Sequence, residues 1–167
     1  MSPASIAFLL GLALASAYDL GKRRIPNALN LAILMTGLAI RVHTGTLMPG
    51  LAGAGLGLAL LLLLFEARWI GGGDVKLVAA IGAWLGPEGV LLATALGFAG
   101  AGVYAAAWTM IGGASLRRDV FINLRGAFLG RRVPAVPSRP RAHLVPLALP
   151  FAAAAVVVLL HQGGLHG

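Results

Sequence analysis

Long uncharged, apolar runs alternate with short basic segments along this 167-residue chain. The first 18 residues carry no charged side chain, and the first cations, Lys22, Arg23 and Arg24, follow the apolar run. A secretory signal peptide has the reverse order, so the pattern predicts a first transmembrane helix that is retained. Further runs predict helices at residues 26–42, 47–65, 75–85, 88–112 and 144–161.

Composition agrees with a membrane protein. The chain is 59% hydrophobic and 11% charged, whereas soluble domains are about a quarter charged. We therefore predict an all-α, polytopic integral membrane protein with about six transmembrane helices, folded as one membrane-embedded domain over residues 1–167. The segment 75–85 is too short to cross alone unless flanking residues extend it. Glycine-rich stretches at 50–60 and 97–107 predict close helix packing.

Positive charge indicates the orientation. If the N-terminus lies outside, twelve of the thirteen Lys and Arg residues fall in inner loops and only Arg41 falls outside. This distribution obeys the positive-inside rule and predicts an N-terminus outside. The net charge of +8 then fits contact with anionic lipid headgroups rather than nucleic acid, because the cations adjoin apolar spans.

The longest basic segment, residues 117–141, is expected on the cytoplasmic side. Its first half has apolar residues at helical spacing among arginines, and its second half is rich in proline. Two interpretations stay open for the first half: an amphipathic helix in the membrane interface, or an ordinary solvated loop.

Carboxylates beside membrane spans are costly, so each of the five acidic residues is a functional candidate. Glu88 follows a proline in an expected outer turn, where a solvated charge is the simplest explanation. Glu66 at a helix end and Asp119 beside an arginine have equally simple structural explanations. Asp19 and Asp74 are different, because the predicted topology places both at the cytoplasmic rim.

Each of these two aspartates has a structural interpretation when taken alone. Asp19 closes the first span beside three cations, as a topogenic or salt-bridging residue would. Asp74 follows Gly71, Gly72 and Gly73, which permit positive φ and close approach of another backbone. Taken alone, its position is typical of a helix N-cap.

As a pair, Asp19 and Asp74 suit acid–base chemistry. Two carboxylates a few ångströms apart share a proton, so one is a base and the other an acid. Aspartic-type peptide hydrolysis requires this pair: the ionised group activates a water, and the protonated one polarises and then protonates the scissile amide. The chain has no cysteine and its four histidines show no ligand spacing, so we expect no metal and no cofactor.

Neighbouring residues are candidates for shaping this site. Gly71 and Gly73 would leave room for an extended substrate backbone. Lys76 would either stabilise the ionised form of Asp74 or contact lipid phosphate. Pro26, at an expected first helical position, would set the turn between the first two helices, and Asn27 would bond the loop that carries Asp19.

Two motifs resemble those of the type IV prepilin peptidases, membrane aspartic proteases with a G-x-G-D motif. Residues 71–77, GGGDVKL, match G-x-G-D-x-K-L, and residues 19–27, DLGKRRIPN, match D-x-x-x-x-x-I-P-N. The resemblance covers essentially the whole chain and is closest to the short form associated with Flp or tight-adherence pili. It implies that Asp19 and Asp74 are a catalytic dyad at the cytoplasmic face of the bacterial inner membrane.

The resemblance also implies a substrate. Such enzymes remove the short basic leader of a prepilin, just before the hydrophobic helix that later packs in the pilus. That helix would dock laterally between spans, and Glu66 and Asp119 would help to receive the basic leader.

Two other functions fit some of the same features. A small proton-coupled transporter would use membrane aspartates as a relay, but no second half repeats the first and both aspartates lie near one rim. A non-catalytic scaffold of a pilus or secretion assembly would have purely structural aspartates.

Overall fold

The computed structural model describes residues 2–22, 24–67, 70–111 and 147–163. Its elements are the helices α1 (Pro3–Lys22), α2 (Asn27–His43), α3 (Leu47–Glu66), α4 (Gly72–Ile111) and α5 (Ala148–His161). The described part of the chain is therefore all-α, as predicted. Residues 117–141, with Asp119, lie outside the described residues, so the predicted interfacial helix stays a prediction.

The chain forms two compact units, Met1–Gly100 with Pro146–Gly167, and Ala101–Val145. The main hydrophobic cluster and the site described below belong to the first unit. In the second unit, the described residues 101–111 continue α4. The prediction of one domain over residues 1–167 stays a prediction.

Among the described residues, three helical segments are long and apolar enough to cross a membrane: Pro3–Lys22, Leu47–Glu66 and Gly72–Ala107. Ala148–His161 is a shorter apolar helix of 14 residues. Large apolar side chains such as Leu10, Leu63 and Leu160 are exposed on these helices, as lipid-facing residues are. These features support a membrane protein; six spans and an external N-terminus stay predictions.

Helix α4 is interrupted at Gly86, where φ is 77° and ψ is −177°, and Pro87 follows. A Cβ at Gly57 of α3 would lie 2.8 Å from the Val78 carbonyl oxygen and 3.1 Å from Val90 Cγ2. In a straight helix, positions 78 and 90 would be about 18 Å apart, so the chain reverses at Gly86. Over the described residues, the two predicted helical segments, 75–85 and 88–112, thus correspond to the arms of a hairpin, and the first arm begins earlier, at Gly72.

Close backbone contact between α3 and α4 depends on glycine. A Cβ at Gly53 would overlap the Gly82 carbonyl oxygen, and a Cβ at Gly82 would overlap that of Gly53. The prediction of close helix packing for the stretch 50–60 is therefore confirmed.

Trp84 joins α1, α2 and α4 in the core. This residue is 2% exposed. Its ring stacks on Phe8 with centroids 4.8 Å apart and donates from Nε1 to the Ile33 carbonyl oxygen at 2.8 Å. Asp19 lies about 16 Å along α1 from Phe8, and Asp74 lies about 15 Å along α4 from Trp84 in the same direction, because the two helices run antiparallel. Because Phe8 and Trp84 lie at one level, the two aspartates lie at one level too.

Candidate active site

A cavity of about 370 Å³ opens where α1 ends and α4 begins. Both aspartates that the sequence pairs, Asp19 and Asp74, line this cavity although 55 positions separate them. The full lining is Asp19, Arg24, Ile25, Asn27, Gly71, Gly72, Gly73, Asp74 and Lys76. We call it the aspartate cavity.

Asp74 is the third residue of α4. Its backbone N–H donates to the Gly71 carbonyl oxygen at 3.1 Å, so Gly71 precedes the helix and the N-cap interpretation of Asp74 is wrong. A carboxylate in the first turn is stabilised by the positive end of the helix dipole. Asp74 is only partly exposed, and its Oδ2 would lie 3.2 Å from a Cβ at Gly71.

The three glycines before Asp74 do not use the positive φ that the sequence suggested. Among described residues, positive φ occurs at Gly45, Gly86 and Gly163. Gly72 and Gly73 are instead helical, because the run itself begins α4. Gly73 provides space, since a Cβ there would meet nothing closer than Ile25 Cβ at 3.6 Å.

Two side-chain hydrogen bonds join the first turn of α2 to the first turn of α4. Lys76 Nζ donates to Asn27 Oδ1 at 2.8 Å, and Asn30 Nδ2 donates to the Gly73 carbonyl oxygen at 3.0 Å. The Asn27 amide oxygen therefore bonds α4, and the predicted bond from Asn27 to the loop that carries Asp19 stays a prediction.

Pro26 lies one position before the predicted one. It is the N-cap of α2, with φ −60° and ψ 134°, rather than the first helical residue. Its carbonyl oxygen accepts hydrogen bonds from the N–H groups of Leu29, at 3.0 Å, and Asn30, at 3.2 Å. Pro26 thus sets the start of α2, and its neighbours Ile25 and Asn27 line the cavity.

Three contributors to the site were missed from the sequence. Asn30 is 3% exposed, and its spacing of three from Asn27 on one helix face was an available signal. Arg24 lines the cavity, whereas its place in the sequence indicates only a role in membrane orientation. The third is a backbone group: the Ala148 N–H donates to Asp19 Oδ2 at 3.0 Å.

Comparison with known families is decided by one match. Residues 6–106, more than half of the chain, match the Type IV leader peptidase family. The chain belongs to this family. No curated protein and no solved structure is significantly similar to it. Asp19 and Asp74 both lie within the matched residues, whereas α5 lies beyond them.

In this leader peptidase, Glu66 is the last residue of α3 and is exposed. It does not line the aspartate cavity, so its predicted contact with the leader stays a prediction. Asp119 lies outside the described residues. Within the described ranges, no three His, Cys, Asp or Glu side chains gather where they could hold a metal ion.

The chemical content of the aspartate cavity is two carboxyl groups, two cations and an amide. Of the cations, Lys76 is held by Asn27. Carboxyl groups on one open cavity can exchange protons with a bound water and with a substrate amide, provided that one is ionised and the other protonated.

Proposed function

We propose that this leader peptidase is an aspartic endopeptidase, which removes the short basic leader of Flp-like type IV prepilins at the cytoplasmic face of the bacterial inner membrane. One observation carries the proposal: Asp19 of α1 and Asp74 of α4 line the same cavity. Family membership supports a peptidase acting on leader sequences. What we propose beyond this membership is the aspartic mechanism, the Flp-like class of pilin that is cleaved, and the cytoplasmic face as the place of cleavage.

The two carboxyl groups would share the work of amide hydrolysis. The ionised one takes a proton from a water whose oxygen forms a bond to the scissile carbonyl carbon, while the protonated one gives its proton to the carbonyl oxygen. The resulting tetrahedral diol then collapses: the carboxyl group that is now ionised takes a proton from one hydroxyl, the C–N bond breaks, and the other carboxyl group gives its proton to the departing nitrogen, which returns the pair to its starting state. No cofactor is needed for this sequence of steps.

Substrate geometry is the second element of the proposal. A prepilin is a hydrophobic helix preceded by a basic leader, so its helix would lie in the bilayer and its backbone would become extended where it enters the cavity. Gly73, helical but without a side chain, lines the wall next to Asp74 and would let the backbone approach. Glu66, exposed at the end of α3, and Asp119 would attract the leader through their negative charge.

The experiment that tests the proposal is cleavage of a co-expressed prepilin, followed by its shift on a gel. Asp19→Asn and Asp74→Asn are compared with wild type at equal membrane abundance. Each should lower cleavage by orders of magnitude, because each removes a reacting group. Glu88→Gln is the matched control, since Glu88 is an exposed carboxylate that does not line the cavity.

Normal cleavage by either asparagine variant would defeat the proposal and leave the scaffold or transporter functions. The leader contacts have their own test: Glu66→Gln and Asp119→Asn should weaken prepilin binding, and unchanged binding and cleavage would remove both residues from the proposal.

A further inference from the structure

The Asp19 side chain receives a hydrogen bond from a helix distant in sequence. The backbone N–H of Ala148 donates to Asp19 Oδ2 at 3.0 Å, across 129 positions. Ala148 is the first residue of α5 and is fully buried. Because α5 lies beyond the residues that match the family, 6–106, the match does not assign it a role.

Core packing determines where this N–H lies. Phe151, three residues along α5, is 1% exposed and meets Phe98 edge to face, with centroids 5.1 Å apart. A Cβ at Gly97 would overlap the Phe151 ring, so the ring occupies a recess that only glycine leaves. Ala148 and Phe151 lie on the same face of α5, and the seated ring therefore holds the first turn of α5 against the rest of the unit.

Physical chemistry explains why a carboxylate lies at this point. The first N–H groups of a helix have no acceptor within the helix, and a buried N–H without a partner is costly. Asp19 Oδ2 supplies that acceptor, and the positive end of the α5 dipole favours its negative charge. The bond uses one oxygen of the carboxylate and leaves Oδ1 without this constraint.

We infer that Ala148 is a positioning residue for the proposed hydrolysis: its N–H holds Asp19 through Oδ2, so that Oδ1 is the oxygen that exchanges protons with the water and the substrate. The inference rests on the proposed function of the Asp19 and Asp74 pair. It makes α5 a part of the active site, through a backbone atom rather than a side chain.

The direct test replaces one backbone N–H by an ester oxygen. Cell-free translation into lipid nanodiscs, with an α-hydroxy acid at position 148, keeps the alanine methyl group and removes only the donor. The same change at Leu149 is the matched control, since it removes another N–H of the first turn of α5 while the bond from Ala148 to Asp19 stays. Cleavage of a purified prepilin is measured to obtain kcat and KM separately.

We expect the ester at 148 to lower kcat at least about 10-fold, the usual effect of one hydrogen bond to a charged group, with KM unchanged. The ester at 149 should leave kcat near that of wild type. Equal kcat in the two ester variants would overturn the inference, and so would a parallel change of kcat and KM in both, which marks a merely structural role.

A second comparison uses ordinary substitutions. Ala148→Pro removes the same N–H, and Ala148→Ser retains it. Because Leu147 has a φ of −77° and a ψ of −25°, which a following proline disfavours, thermal unfolding is measured to show that the proline variant is folded. The proline variant should lose cleavage while the serine variant keeps it, and similar activity of the two would count against the inference. If Asp19→Asn itself cleaves normally in this assay, the proposed function fails; if it is inactive while the ester at 148 is fully active, only the positioning role fails.

Discussion

The substitution Gly73→Ala distinguishes an effect on protein stability from an effect on prepilin cleavage. Gly73 is helical, lines the aspartate cavity, and precedes Asp74. A Cβ built there would meet Ile25 Cβ at 3.6 Å, which is an ordinary van der Waals distance. The protein itself therefore has room for the methyl group, and any loss of activity must come from the cavity.

The expected effects on stability and activity have opposite signs. Alanine in a helix is favoured over glycine by about 0.5–1 kcal/mol, so the free energy of unfolding should rise slightly or stay constant. A methyl group in the path of a substrate backbone costs roughly 1–3 kcal/mol when it must be accommodated. That cost corresponds to a fall in kcat/KM of roughly 5- to 150-fold.

The assay compares unfolding of purified protein in detergent with prepilin cleavage over time. Gly55→Ala is the matched control, because Gly55 is an exposed α3 residue and a Cβ there has nothing within 4 Å. The control should keep wild-type cleavage. If Gly73→Ala cleaves as fast as wild type, the glycine does not serve substrate approach; if it unfolds far more readily, the packing argument is wrong.

Three further substitutions test contacts in the same unit. Gly82→Ala should lower the free energy of unfolding by at least about 1–3 kcal/mol, because its Cβ would overlap the α3 backbone; an unchanged unfolding midpoint would contradict this. Asn30→Leu should cost about 1–3 kcal/mol, because the buried amide would no longer donate to the Gly73 carbonyl oxygen; thermal unfolding that matches wild type would refute it. Lys76→Met removes the exposed bond to Asn27 and should change stability by no more than about 0.5 kcal/mol, so a large loss in chemical denaturation would show that this bond matters more than its exposure suggests.

Much of the fold followed from the apolar runs. The run at 47–65 predicted α3, which is Leu47–Glu66, and the separate runs at 75–85 and 88–112 predicted the break within α4. The start of α4 was misplaced, because three consecutive glycines are typical of a loop. Tertiary contacts overcome that preference: Asn30 binds the Gly73 carbonyl oxygen, and Phe65 lies against Gly72.

The two aspartates could be predicted as neighbours because few charges occur and their level along the helices follows from topology. The partners of Asp19 and Asn27 could not. A backbone N–H such as that of Ala148 has no signature in the sequence, since every residue except proline has one. The position of Phe151 in the core determines which N–H lies next to Asp19. That position depends on tertiary packing, which the pattern of apolar and polar residues does not specify.

The level of the two aspartates is set far from the cavity. The stacked rings of Phe8 and Trp84 lie about 15 Å from Asp19 and Asp74, roughly half of a membrane span, and this stack determines how far α1 and α4 are shifted along each other. A shift of one residue along α1 would move Asp19 by about 1.5 Å along the axis and turn it about 100° around it. Such a turn would take its carboxylate away from both the cavity and the Ala148 N–H. The Phe8–Trp84 stack and the buried Phe151 ring are therefore as important for the proposed chemistry as the residues that line the cavity. They determine whether Asp19 and Asp74, on separate helices, lie close enough to act as a pair.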